Sequence, residues 1–249
     1  MPTEPLISVI MPAYDAVAHL ARAVASVRAQ TRQDWELWIS DDGSRDSTAA
    51  LARSFAKHDP RVKVLTKGVE DTKGAAAARN RAISVASGRF LAFLDADDEW
   101  LPEKLDRQVG LMLTEGAALT FTGFWRQKAL RRHEVKIPSK VTGRGLLRGN
   151  VMGTLTVMCD RGQLGDITFP SLALRQDYAL WLDLLHRTEA AIGIQAPLAV
   201  SHVTQGSLSS NRWRATRATW QVYRQHAGLG PMASGYFLAS HLARRVRRG

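Results

Sequence analysis

What most constrains this chain is a succession of short, nearly unbroken apolar runs separated by segments of helical periodicity, all within its first 95 residues. Leu6-Ile7-Ser8-Val9-Ile10-Met11 runs to Pro12 almost without polar interruption. A run of that kind suits a strand buried on both faces of a parallel sheet. From about Ala18 to Gln30, Leu20, Val24 and Val27 recur at helical spacing, and Glu36-Leu37-Trp38-Ile39-Ser40 follows as a second strand. Asp42-Gly43-Ser44 is turn chemistry, and Ser44 or Asp46 is placed to cap a helix carrying Leu51 and Phe55 on one face, which Asp59-Pro60 stops. Val62-Lys63-Val64-Leu65 makes a third strand. After Gly74, the Ala-rich run Ala75–Ile83 has high helix propensity, ends near Gly88 and leads into Phe90-Leu91-Ala92-Phe93-Leu94 as a fourth strand.

The alternation predicts an α/β fold with a mostly parallel sheet flanked by helices, whose ligands bind beyond the carboxyl ends of the strands. Asp41, Asp42, Asp95, Asp97 and Asp98 all fall at such ends. Beyond about residue 125 the pattern is less regular: Gly and basic residues dominate 140–150, an apolar stretch covers Thr154–Met158, and a helix is expected from Arg175 to Arg187.

With 249 residues and 45% hydrophobic composition, the chain can bury a sizeable core as one domain, or one domain plus a tail. The formal net charge of +11 is uneven, because residues 211–249 hold eight arginines (212, 214, 217, 224, 244, 245, 247 and 248) and no acid. Such a tail attracts nucleic acid, anionic lipid or phosphorylated substrate and does not choose among them. No zinc-finger spacing or RNA-binding motif accompanies the charge, so nucleic acid is not an expected partner. The start lacks the features of a signal peptide and no run approaches the roughly 18 apolar residues of a spanning helix. Cys159, the single cysteine, reads as core packing and fits a reducing compartment.

Asp95-Ala96-Asp97-Asp98 places several carboxylates on one turn at the sheet edge. They read either as turn and helix-cap residues before Pro102 or as oxygen ligands for a hard divalent cation, which takes one or two carboxylates plus substrate phosphates. An EF-hand is excluded, since Trp100 stands where its loop needs glycine and Asp106 where it needs glutamate. Asp42 is suited to accept hydrogen bonds from a nucleobase or ribose, or is a plain turn residue. No Gly-x-Gly-x-x-Gly or Walker loop is present to cradle phosphates. Arg79 offers a guanidinium fork for phosphate, or a surface ion pair. Asp177 opens an apolar helix, as a helix-terminus charge or a catalytic base.

In this order the segments closely resemble the inverting, GT-A type family 2 glycosyltransferases. The matching residues are Ser8–Tyr14, Gln30-Thr31, Asp41-Asp42-Gly43-Ser44, Gly74 with Ala78-Arg79-Asn80, Leu94-Asp95-Ala96-Asp97-Asp98, Leu101-Pro102-Glu103-Lys104-Leu105 and Gln176-Asp177-Tyr178. The likeness covers about residues 6–210 and is strongest to bacterial members that build teichuronic acid, exopolysaccharide or O-antigen chains.

The resemblance implies a GT-A type, Rossmann-like domain over 1–210, with a nucleotide-sugar half at about 1–115 and an acceptor half at about 116–210. A basic helical extension over 211–249 completes the chain. It implies that Pro12, Tyr14 and Asp42 line the nucleoside pocket and that Arg79 lies near the nucleotide. Asp95 and Asp97 would form the metal motif for Mn²⁺ or Mg²⁺, with Asp98 meeting the donor sugar or metal shell. Asp177 would be the general base. Family members often carry a Tyr-Arg pair before a Ser-x-Ser segment; here Ser201-His202 stands before Ser207-Leu208-Ser209.

The expected reaction moves a sugar from a nucleoside-diphosphate sugar, with uridine the family-level preference, to an acceptor hydroxyl. The expected acceptor is a saccharide on a polyprenyl diphosphate in cell-surface polysaccharide synthesis. The expected location is the cytoplasm, at the inner face of the cytoplasmic membrane, with the basic tail and its Trp213, Trp220 and Tyr236 in contact with anionic lipid. Two alternatives are a catalytically silent nucleotide-sugar or glycan-binding module and a nucleotidyltransferase, which would release diphosphate from a triphosphate donor.

Overall fold

The computed structural model describes residues 6–203 and 212–248. Its first third follows the predicted alternation closely: β1 (Ile7–Ala13), α1 (Val17–Arg28), β2 (Trp35–Asp41), α2 (Thr48–His58), β3 (Val62–Thr66), α3 (Ala75–Val85) and β4 (Phe90–Phe93). These four strands lie parallel in the order β3-β2-β1-β4. Along β1, Ile7, Val9 and Met11 join a core with Leu20, Val24 and Val27 of α1, while Ile10 points into a second core on the opposite face. Both faces are therefore covered, which is why the strands carry unbroken apolar runs. The cap of α2 differs from expectation. Ser47 is the N-cap residue and makes no side-chain bond, while the Asp46 carboxylate accepts from Thr48 N at 2.9 Å and Ser44 is spent on Asp41.

After β4 come β5 (Glu99–Trp100), α4 (Lys104–Glu115), β6 (Leu119–Lys128), β7 (Arg131–Val135), β8 (Lys140–Val141) and α5 (Gly143–Leu147). A 3₁₀ turn at Thr154–Thr156 leads to β9 (Met158–Asp160), α6 (Arg161–Leu164), α7 (Gln176–Arg187) and β10 (Ala191–His202). β9 inserts antiparallel between β4 and β6, and β10 runs parallel to β6. Six of the ten strands among the described residues thus share one direction, and β5, β7, β8 and β9 oppose them. β10 contains Pro197, which removes a ladder donor, and the pairing with β6 shifts register on either side of it. Its Gly193 is required by close approach, since a Cβ there would stand 2.2 Å from the Pro138 carbonyl oxygen.

The basic C-terminal segment forms α8 (Arg212–Gln221), a π-helical turn at Val222–His226, and α9 (Pro231–Arg248). It is packed against the domain. Val222 and Tyr223 belong to the same core as Phe93 and Trp181, the Tyr178 and Tyr223 hydroxyls lie 3.1 Å apart, and they reach the Leu146 and Leu147 carbonyls. His226 adds a 2.8 Å contact to Asp183 of α7. No helix among the described residues is long and apolar enough to cross a membrane. Cys159 is buried, as expected of a core residue.

At the amino ends of the strands, a buried polar knot fixes the register. Glu36 accepts from Ser8 Oγ at 2.6 Å, Ser87 N at 2.7 Å and Lys63 Nζ at 2.7 Å, and Ser8 Oγ accepts from Gly88 N at 2.9 Å. Gly88 must be glycine, because a Cβ would meet Ser8 N at 2.6 Å. Burial alone would raise the Glu36 carboxyl, but the bonds from Lys63, Ser8 and Ser87 outweigh it and hold it at about 2, below its ordinary 4.5. The unfolded chain therefore takes up this proton first. The stability that Glu36 contributes is complete above about pH 4.5 and is lost as pH falls toward 2. Glu36→Gln is expected to cost about 1–3 kcal/mol at pH 7, the order of a lost bond to a charged partner. Urea midpoints at pH 7, 4 and 3 check this: the gap between the two proteins should narrow as pH falls, and a constant gap contradicts the assignment.

Candidate active site

The parallel register brings three strand ends together. Ala13 pairs with Asp41, Asp42 N donates to the Ala13 carbonyl at 2.8 Å, and Leu94 N donates to the Ile10 carbonyl at 3.1 Å. Pro12 and Tyr14 at the end of β1 are therefore flanked by Asp41 and Asp42 after β2 and by Asp95, Asp97 and Asp98 after β4. Tyr14 is half exposed, at 52% of its surface. Below it, Asp15 adopts φ 46° and its Oδ1 accepts from Arg45 N at 2.7 Å, while Ser44 Oγ accepts from Asp15 N at 3.0 Å. These bonds tie the β1–α1 loop to the β2–α2 loop.

So many carboxylates on one edge repel unless cations stand among them. Two arginines of α3 supply the charge. Arg79 is buried, with Nη2 on Asp95 Oδ1 at 2.5 Å and its guanidinium 5.0 Å from the centre of the Phe169 ring. The arginine is buried and its partner Asp95 is partly open to solvent. Arg81 Nη2 donates to Asp42 Oδ1 at 2.8 Å, and the other oxygen of Asp42 accepts from Gly74 N at 2.6 Å at the start of α3. A carboxylate at a helix N-terminus is favoured by the helix dipole. Phe169 is held in turn by Asn80, whose side-chain amide exchanges two bonds with the Phe169 backbone at 2.8 and 2.9 Å.

The Asp95–Asp98 turn is sewn down on its far side. Asp98 is buried, and its Oδ1 accepts from His202 N at 2.9 Å at the end of β10. Burial first, then the charges of Asp95 and Asp97, push its carboxyl well above the usual range. Arg22 of α1 donates to the Asp97 carbonyl at 2.8 Å and lies 3.1 Å from Glu99, which also meets the His202 ring at 2.5 Å. The carboxylates of Asp95 and Asp97 are half-buried. Among the described residues no third His, Cys, Asp or Glu joins them in a group able to hold a metal. Two hard oxygen donors with the rest of the shell left to phosphate and water is the arrangement that Mg²⁺-like ions take in nucleotide sites, so the residues fit the ion that the sequence implied.

Asp177 lies in the first turn of α7, half-buried, with Thr154 Oγ1 3.4 Å from its Oδ2. Two contacts relate it to the carboxylate edge. Trp181, one helical turn on, packs 5.6 Å from Phe93, two residues before Asp95. Leu155, next to Thr154, accepts from Trp100 Nε1 at 2.8 Å, two residues after Asp98. A cavity of about 660 Å³ lies elsewhere, where α4 meets Ile192–Ile194 at the beginning of β10. It has no part in this constellation.

The sequence singles out the carboxylates and Arg79 as candidates, and does not single out Arg22, Arg81, Glu99 and Thr154, which the structure places against them. Arg81 is two residues from Arg79, and residues so spaced leave a helix on different faces, so no local signal joins it to Asp42. The Ser207-Leu208-Ser209 segment lies outside the described residues.

Residues 8–179 match the family model "Glycosyl transferase family 2". The chain belongs to glycosyl transferase family 2. This family 2 glycosyltransferase is 37% identical over 248 residues to TuaG of Bacillus subtilis, named for teichuronic acid biosynthesis, with 98% of each chain covered. It is 34% identical, over 98% of this chain and 94% of the relative, to WfgD of Escherichia coli, a UDP-Glc:alpha-D-GlcNAc-diphosphoundecaprenol beta-1,3-glucosyltransferase. Its GT-A fold resembles residues 1–349 of TarS from S. aureus in complex with UDP-GlcNAc, with a TM-score of 0.72 at 19% identity, covering 95% of this chain and 71% of that one. A mannosyltransferase from Pyrobaculum calidifontis, solved with GDP-Man and Mn²⁺, gives a TM-score of 0.69 at 19% identity over 96% and 70% of the two chains.

Proposed function

We propose that this family 2 glycosyltransferase moves a sugar from a UDP-sugar to the hydroxyl of a lipid-linked saccharide in cell-surface polysaccharide synthesis, inverting the anomeric centre, with Asp177 as general base. The observation that carries this reading is the meeting of Asp42, Asp95 and Asp97 on one sheet edge with Asp177 joined to that edge through Thr154 and Trp181. The names of TuaG and WfgD, which align with nearly the whole chain, support the acceptor class.

In this reading Pro12 and Tyr14 flank the nucleobase, Asp42 accepts from the nucleoside, and Arg79 balances charge beside the diphosphate. Asp98 holds the turn that meets the donor sugar. Asp95 and Asp97 would hold Mn²⁺ or Mg²⁺, which supplies positive charge against the departing diphosphate. The Asp177 carboxylate takes the proton of the acceptor hydroxyl as its oxygen attacks the anomeric carbon from the face opposite the nucleoside diphosphate. That proton transfer is typically worth about 10²–10⁴-fold in rate. The rings of Phe93, Phe169 and Trp181 pack on one another and seat α7 against β4.

Purified protein assayed against UDP-, GDP-, dTDP- and CMP-sugars with Mn²⁺, with and without EDTA, should release UDP in a metal-dependent way. Asp177→Asn should keep UDP binding and lose about 10²–10⁴-fold in transfer. Full transfer by that variant would remove Asp177 from the role. Absence of donor binding across the panel would favour the silent binding module, and release of diphosphate from a triphosphate would favour a nucleotidyltransferase.

The same reading puts the enzyme at the inner face of the cytoplasmic membrane, held by its C-terminal helices. Trp213 and Met232 are 86% and 91% exposed and Tyr236 is also exposed, on a segment whose charged residues are all arginine. Aromatic and basic residues together favour an anionic bilayer surface. In flotation with phosphatidylglycerol vesicles the protein should rise with the lipid at low salt and be released at high salt. Failure to float at low salt would sink this attachment.

A further inference from the structure

A cationic recess lies close along the chain to the proposed base and apart from the acidic strand ends. A cleft of about 200 Å³ opens between the loop that precedes α7 and the face of α8. Leu172 and Leu174 line it from the loop, and Arg214, Arg217, Gln221 and Val222 line it from α8 and the π-helical turn that follows. Among the described residues no carboxylate lines it. Arg214 and Arg217 are three residues apart on α8, and Gln221 follows four later, so all three leave the same face of the helix. Two guanidiniums over an apolar wall form a receptor for an anion that carries a hydrocarbon group.

Its position relates it to the reaction. The cleft's wall runs from Leu174 directly into Arg175-Gln176-Asp177, and Gln176 Nε2 donates back to the Leu172 carbonyl at 2.7 Å, fixing that loop against the start of α7. Three residues span at most about 11 Å, so the cleft is within reach of one sugar and its phosphate from Asp177. The donor's diphosphate belongs at the β4 end, where Asp95, Asp97 and Arg79 stand, so a second anion site next to the base serves the other substrate. The loop wall lies inside the family-matched residues 8–179, whereas α8 lies beyond them. The alignments with TuaG and WfgD continue over 98% of this chain, so they include α8, and WfgD is named for a diphosphoundecaprenol-linked acceptor.

We infer that the cleft between Leu172–Leu174 and the Arg214/Arg217/Gln221 face of α8 binds the diphosphate of a polyprenyl-diphosphate-linked acceptor, and so presents its sugar hydroxyl to Asp177. The inference rests on the lipid-linked acceptor of the proposed function. Arg217 is exposed, so its replacement should leave the fold intact.

The test is calorimetry on the full chain saturated with UDP, which fills the donor site, titrated with farnesyl diphosphate and separately with farnesol. Wild type should bind the diphosphate and not the alcohol. Arg217→Gln should weaken farnesyl diphosphate binding at least tenfold, Arg217→Lys should restore part of it, and UDP affinity should be unchanged in all three proteins. Equal farnesyl diphosphate affinity in wild type and Arg217→Gln overturns the inference. So does an Arg217→Gln protein that keeps farnesyl diphosphate binding and loses only flotation with phosphatidylglycerol vesicles, since the arginine would then serve bilayer headgroups. Sugar transfer to a diphosphate-linked saccharide at a rate and KM indifferent to Arg217 would remove the cleft and leave the glycosyltransferase reading standing. Arg217-dependent binding of farnesyl diphosphate without any UDP-sugar turnover would do the reverse.

Discussion

Everything in this molecule is arranged around the repulsion among carboxylates at the carboxyl ends of β2 and β4. Asp41, Asp42, Asp95, Asp97 and Asp98 end two strands separated only by β1, and the mutual repulsion of a bare cluster of that kind would loosen the turn that bears it. α3 resolves part of this by sending Arg79 to Asp95 and Arg81 to Asp42 from different faces of one helix. Asp41 turns inward to its own loop, accepting from Ser44, and Asp98 is withdrawn into the interior against the His202 backbone. Asp95 and Asp97 remain partly open to solvent. A residual negative charge held on a rigid edge is a suitable host for a cation that arrives with a diphosphate.

The second half of the chain supplies the rigidity. β5, directly after the acidic turn, pairs with the end of β10, and Arg22 of α1 and His202 both meet Glu99. The turn is thereby fixed from the first helix and the last strand at once. On the other side α7 is anchored by Trp181 against Phe93 and Phe169, and by the Tyr178–Tyr223 and Asp183–His226 contacts to the C-terminal segment. The residue proposed as base thus sits between the acidic edge and the basic helices. Lys104 shows how tightly the region under β5 is packed. It is fully buried, 4.2 Å from the centre of the Trp100 ring, and burial draws its ammonium down to about 7.

How legible this was depended on distance along the chain. β1 to β4 and α1 to α3 were readable because strands buried on both faces have unbroken apolar runs and the helices between them have clear periodicity. The five acidic residues were readable because they follow those runs directly. β6 and β10, the long strands of the other half, were not: β6 loses its apolar character after Phe124, and β10 is interrupted by Gly193 and Pro197. Only tertiary pairing explains them, through bulges that absorb the proline and a glycine that lets Pro138 approach. The arginine partners were hidden for a related reason. Arg22 and Glu99 are far apart in sequence, and nothing in either neighbourhood announces the other. The docking of Tyr223 and His226 onto α7 was equally silent, because in sequence the basic segment reads as charge and not as core.

The proposed transfer is a single displacement, with one carboxylate taking the acceptor proton on the face opposite the leaving diphosphate. The anomeric configuration of the product tests it most directly. NMR of the new glycosidic linkage formed from an α-linked UDP-sugar should show a β linkage, because one displacement inverts the centre. An α linkage would mean retention, and would contradict both the single displacement and the role proposed for Asp177.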